Sequence, residues 1–418
     1  MKPKPPGNLD VVAQILAHNR GRDPERLAMK FAKMSESPFV FLRGACHLFY
    51  DALPDTPLLR KAPLAWCCGD LHFENFGSYK GDNRLVYFDI NDFDEAALAP
   101  ATWDIVRLLT SIQCGADALN ATRAEALAVS RTCLDAYRGA IAQGKPLWVE
   151  AETCTGLVAD LLRSHQGRER SAFLDKRTTC KGRHRSLKVD GVKALAATEA
   201  QKKLVTGFMD RYAATQANPK FFDVLDVARR IAGTGSLGVE RYVVLVEGKG
   251  SPDGNYLLDI KEARPTAMGP RAASLGIKQP AWQDEASRVV NIQKRSQAVD
   301  HAFLQPVKLG ALPCILKGLQ PSEDRVSIAE WGKKLDRLKD VTATMGRILA
   351  WDHLRASGRS GSASADDLIA FAKGSDWTQE MLKATAQMTL ATEGQWKIFT
   401  KALAAGQFEP PAARALGR

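Results

Sequence analysis

The feature that most restricts the fold is a concentration of carboxylates between apolar runs. Residues 67 to 96, CCGDLHFENFGSYKGDNRLVYFDINDFDEA, hold seven acidic side chains. Burying an unpaired carboxylate is costly, so such groups are paired, hydrogen-bonded or bound to a cation. The chain must therefore expose these acids in a turn or gather them around a positive charge. Two β-rich runs, residues 63 to 68 and 84 to 90, bracket the loop GDLHFENFGSYKGDN. A strand pair is expected to bring the two ends of the acidic stretch together.

Gathered in this way, Asp70, Asn75 and Asp92 suit transfer of a phosphorus-bound group. One carboxylate orients a substrate hydroxyl and accepts its proton, while an amide oxygen and a second carboxylate hold Mg²⁺ on nucleotide phosphates. Asp70-Leu71-His72 also opens a two-metal phosphoesterase pattern. That chemistry needs further histidines in set contexts, and none of the seven histidines of the chain stands in one.

A second motif lies far downstream. GTGSLG places Gly233, Gly235 and Gly238 in G-x-G-x-x-G spacing, with Ser236 between the last two. The β-rich run RYVVLVEG follows, so the glycines are expected in a turn between strands, not at the start of a nucleotide-binding helix. KGSPDGN then supplies strong turn chemistry before YLLDIKEA, whose Lys261 stands near the strand end. A glycine turn with a lysine on a following strand can cover and contact phosphates. A carboxylate from the next helix is expected to hold Lys261. Glu285 is the best-placed acid, with Gln293 as the alternative occupant, and Glu262 points to the other face of a regular strand.

GDLHFEN resembles the catalytic loop of aminoglycoside phosphotransferases and choline-kinase-like enzymes, which read H-G-D-x-x-x-x-N. Here Cys68 replaces the first histidine. Those families continue with an I-D-F/W element and an aspartate about 12 residues later, a place that Asp104 fills. The resemblance implies Asp70 as base, Asn75 and Asp92 as Mg²⁺ ligands with Asp89 and Asp94 as further candidates, Asp104 as an anchor for the loop, and ATP as the nucleotide. It also implies a two-lobed α+β, protein-kinase-like fold. The motif order is reversed, however, with the acidic loop before the glycine turn. A hinge-like strand (314 to 319) and a long helix (336 to 356) come last. Starting the chain near residue 225 and joining its ends restores the usual order, so a circular permutation is expected. The marks SPFVFLRG, GDLHFENFG, DINDFDE and IKEARP are also similar to those of an uncharacterised bacterial family.

The expected organisation is a large, mainly helical lobe from residues 1–225 and 321–418, and a small β-rich lobe from 226–320. The length of 418 residues suffices for both. The function expected is ATP- and Mg-dependent transfer to an unidentified hydroxyl on a small molecule or protein. The alternatives are nucleotidyl transfer and a non-catalytic nucleotide-binding regulator. A net charge of +11 favours acidic partners. Residues 163 to 188 carry nine Lys/Arg against two acids and read as a solvated loop or as a collar for a phosphorylated substrate. Phe173 is their only aromatic, which makes nucleic acid an unlikely partner. Arg43, inside an apolar face, reads as a core-paired cation or an anion contact. Eight scattered cysteines without a C-x-x-C pair, no apolar leader and no run of about 18 apolar residues lead us to expect a cytoplasmic protein with no membrane partner.

Overall fold

The computed structural model describes residues 10–320 and 324–408. Helix accounts for 48% of the chain and strand for 16%, an α+β composition. Six antiparallel strands form the largest sheet. Their spatial order is Gln305–Leu309, Leu312–Gly318, Tyr256–Glu262, Arg241–Val246, Val224–Arg230 and Ala194–Ala196. In sequence, the helix Glu285–Ser296 intervenes between Tyr256–Glu262 and Gln305–Leu309. Residues 1–225 were expected to belong to the mainly helical lobe, yet Ala194–Ala196 and the start of Val224–Arg230 are strands of this sheet. The sheet thus recruits a strand from before residue 226.

Strand periodicity gives this sheet two different faces. One face is apolar and is covered by the helix Glu199–Ala214, whose Val205, Phe208 and Met209 pack on Val244, Leu258, Ile260 and Leu316. On the other face the register sets Asp259 opposite both Val243 and Lys317, and Lys261 opposite Arg241 and Ile315. That face is therefore charged over half its area.

The other half of the inner face is closed by the basic segment. This segment is an ordered cap and not an irregular loop, although most of its basic side chains are exposed. It forms the helix Arg170–Asp175 and a hairpin of Thr178–Lys181 with His184–Leu187. Leu174 and Leu187 pack on Ala228, Val243, Leu245 and Leu257. Arg185 fastens the hairpin by pairing with Asp175 at 2.6 Å and Asp253 at 2.8 Å.

The helical part is built around Thr102–Cys114, Arg123–Gln143, Leu335–Arg355 and Thr378–Ala404. A capping box between Thr122 and Glu125 starts the second of these. Gly346 lets Leu335–Arg355 lie directly on Arg123–Gln143, because a Cβ there would stand 2.2 Å from the Cys133 carbonyl. Two strand pairs, Leu64–Cys67 with Ala97–Pro100 and Phe76–Lys80 with Val86–Ile90, hold the acidic stretch against these helices. Val11 and Ile15 near one end of the described chain share a cluster with Phe399 and Ala402 near the other.

Candidate functional site

The strand Leu64–Cys67 delivers the chain to Gly69 with φ +88, and a Cβ there would lie 2.3 Å from the Glu95 carbonyl. Only glycine fits such a turn. Tyr50 donates its hydroxyl to the Gly69 carbonyl. The Asp104 carboxylate, in the first turn of its helix, accepts the N–H groups of Cys68 at 2.6 Å and Gly69 at 3.0 Å. These bonds present Asp70 at the head of the loop.

Asp70 pairs with Arg107, which is fully buried one turn along the same helix from Asp104. Arg107 also donates to the Leu42 carbonyl at 3.0 Å, and its guanidinium lies over the Phe49 ring at 4.7 Å. Burial pushes the Asp70 carboxyl up from its ordinary range, and Arg107 opposes that rise. The Asn75 amide donates to the Asp70 carbonyl at 3.3 Å and the Asp92 carbonyl at 3.2 Å. Its Oδ1 is thereby left for the cleft that the residue lines. Cys68, in the place where the resembling enzymes carry histidine, lies with Sγ 3.0 Å from the Asp92 carbonyl. The thiol thus joins the two acidic segments.

Lys261, 5% exposed, reaches these acids from the large sheet. Its Nζ lies 3.7 Å from Asp92 Oδ2 and pairs more closely with Asp94. Burial alone would raise the Asp92 pKa, but Lys261, Lys317 and Arg241 outweigh it and hold the carboxyl below its ordinary range. The glycine turn completes the enclosure. Gly233 and Gly238 adopt φ +70 and +89. A Cβ on Gly235 would stand 3.0 Å from the Arg43 carbonyl and 3.6 Å from Asp70 Oδ2. Ser236 turns inward on its own loop, its hydroxyl donating to the Ala232 carbonyl at 3.2 Å.

Two expected residues stand elsewhere. Glu285 does not hold Lys261; it pairs with Arg288 at 2.6 Å, and Arg288 spends its other donors on the carbonyls of Ala96, Asp94 and Arg264. Gln293 is no substitute, since its amide donates to Gln297 at 3.0 Å. Asp94 is the carboxylate that pairs with Lys261. Asp89 is buried on its strand, accepts the Ile90 N–H and faces Arg355 at 3.3 Å, away from the residues that line the cleft. Arg43 pairs with Glu74 at 2.6 Å and also lines the cleft.

Between the sheet and the acidic loop lies a cleft of about 550 Å³. Its lining includes Asn75, Asp92, Lys261 and the glycine turn, together with Arg230, Arg241 and Lys317, which sequence reading had not singled out. The Asn75 Oδ1 and the Asp92 carboxylate are hard oxygen donors on one wall, a set that fits Mg²⁺. A second grouping, Cys67, Asp104 and His353, is spatially compact. It does not make a cation site, because Asp104 is committed to two backbone N–H groups and Cys67 Sγ contacts the Ala99 and Pro100 carbonyls.

Fold and site together define an α+β protein with a basic cleft closed by an acidic loop on one wall and a glycine turn with a buried lysine on the other. The chain belongs to a bacterial family described as "Uncharacterized protein conserved in bacteria (DUF2252)", whose model matches residues 22–402. No curated protein and no solved structure matches it. Among the described residues, no helix is long and apolar enough to cross a membrane.

Proposed function

We propose that the protein transfers a phosphorus-bound group from Mg-ATP to a hydroxyl acceptor, as a kinase-like phosphotransferase on a circularly permuted, two-lobed fold. One observation carries the reading. The glycine turn and Lys261, from one part of the chain, meet Asp70, Asn75 and Asp92, from another, around a small pocket that shares Asn75, Asp92 and Lys261 with the larger cleft. The sheet is in keeping with it. Starting at Val224, the chain gives a strand, the glycine turn, a second strand, the lysine strand, a short helix (Gly269–Ser274), the longer helix Glu285–Ser296 and two more strands. The last strand of that run lies beside the lysine strand. This is the order that the resemblance to kinase-like enzymes implies once the chain is rotated.

In this reading Asn75 and Asp92 hold Mg²⁺, which supplies charge neutralisation on the phosphates. Asp70 orients the acceptor hydroxyl and takes its proton, with Arg107 fixing the carboxylate in place. Lys261 exchanges its pairing with Asp94 for a phosphate oxygen. Positioning and charge stabilisation account for most of such a rate gain. The test is equilibrium binding of Mg-ATP, followed by incubation with labelled ATP and cell extract. The reading expects saturable, Mg-dependent binding and label on an acceptor. An absence of Mg-dependent nucleotide binding overturns it.

A further inference from the structure

Beside Lys261 the inner face of the sheet is lined by charged side chains. A nucleobase is held by an apolar, flat-walled pocket with a few polar groups. Next to Lys261, this wall presents Asp259, Arg241, Arg230 and Lys317 instead. Asp259 is fully buried, and one of its oxygens, Oδ2, lies 2.6 Å from both Arg230 Nη1 and Arg241 Nη2. Lys317 faces Asp92 and Asp259 but makes no hydrogen bond or ion pair with either. Two guanidinium groups thus share one carboxylate, and among the described residues the Lys317 ammonium beside them makes no hydrogen bond or ion pair. The apolar half of the same face is already filled by Leu174 and Leu187 of the basic cap.

Resting on the ATP-dependent reading above, we infer that the nucleotide enters with its phosphate tail toward Lys317, Arg230 and Arg241, so that the α-phosphorus lies at Asp92 beside Asp70 and the group transferred is nucleotidyl. The acceptor hydroxyl oxygen then forms its bond to the α-phosphorus. The bond from that phosphorus to the bridging oxygen of the β-phosphate breaks, and pyrophosphate leaves with the electron pair. The hydroxyl proton passes to Asp70. The three cations of the inner face stabilise the charge that accumulates on pyrophosphate, which is the leaving group of this reaction and not of γ-phosphoryl transfer.

Two measurements test the inference. In calorimetric competition, Mg-tripolyphosphate displaces ATP with an affinity within about tenfold of that of ATP, and adenosine does not displace it. Lys317→Gln weakens tripolyphosphate binding about tenfold or more while leaving the thermal midpoint and circular dichroism unchanged. In the second measurement, α-labelled ATP marks the acceptor and γ-labelled ATP yields labelled pyrophosphate. Displacement by adenosine but not by tripolyphosphate overturns the inference alone, as does γ-label on the acceptor. Failure of ATP to bind at all overturns this inference and the proposed function together. The competition on unmodified protein decides the matter even where no acceptor is at hand or the variant does not fold.

Discussion

Arg22 Nη1 donates to the Gly235 carbonyl at 2.6 Å, tying the glycine turn of the sheet to the N-terminal helices. Lys30, fully buried, donates to the same carbonyl at 3.1 Å and to Asn19 at 2.9 Å. The turn is therefore held down over Asp70 by two side-chain donors on one backbone oxygen. Arg22→Ala is expected to raise hydrogen-exchange rates across residues 233 to 238 several-fold, with the core strand Arg241–Val246 unchanged. Equal protection in both proteins would show that the clasp does not restrain the turn.

Asp70→Asn is expected to reduce group transfer by at least a hundredfold and leave Mg-ATP affinity within about threefold. Rapid-quench turnover alongside calorimetry measures both. Undiminished turnover removes Asp70 as the base.

Asp92→Asn is expected to abolish the Mg-dependence of ATP binding, so that chelation of the metal no longer changes affinity. In the unaltered protein, chelation is expected to weaken ATP binding at least tenfold. Titrations with and without chelator read the difference directly.

Arg107→Met leaves the largely buried Asp70 carboxylate without its cation, at an expected cost of about 3 kcal/mol. Combining it with Asp70→Asn is expected to restore part of that loss, because the amide carries no charge to strand. Urea midpoints of the four proteins form the cycle.

Glu95 gives a pH signature. Its carboxyl is pushed up to about 7, chiefly by burial and further by Asp70, against the Ala267 N–H that it accepts. The folded state therefore binds this proton more tightly than the unfolded chain does. Its contribution to stability is complete below about pH 4.5 and is lost as pH rises through 7, on the order of 2–3 kcal/mol. Thermal midpoints between pH 5 and 8 are expected to fall less steeply in Glu95→Gln than in the parent. Parallel slopes would remove Glu95 as the source.

The parts of the site that were legible in the sequence are those whose roles are set by local backbone. Gly69 occupies a place where no side chain fits, and Gly235 one where a side chain would crowd the Arg43 carbonyl; Asp104 was legible through its spacing from Asp92, though its partners are the distant N–H groups of Cys68 and Gly69. Lys261 was legible because a strand of known parity carried it. The misplacements come from rotation and parity. The face that a helix turns inward is not set by its acids, so Glu285 lies on Arg288 while Asp94, close by Asp92 in sequence, takes the lysine. Asp89 lies on the strand Val86–Ile90 and points to Arg355, whereas Asp92 lies in the loop beyond the strand end. Arg107 left a signal that was not used, a lone cation in the apolar run DIVRLL. The basic segment hid two leucines, Leu174 and Leu187, whose burial orders it. Arg230, Arg241 and Lys317 become a group only when four strands lie side by side, with the lysine strand between those of Arg241 and Lys317, which no single stretch reveals.

The burial of Arg107 keeps the cation that pairs with Asp70 apart from the ionic atmosphere. Mobile ions screen charges at the rim, such as Lys176 and Lys188, but not a guanidinium with no water contact. Raising ionic strength should therefore loosen ligand capture and lift KM, while kcat stays level. One salt titration thereby separates arrival at the cleft from the chemistry inside it.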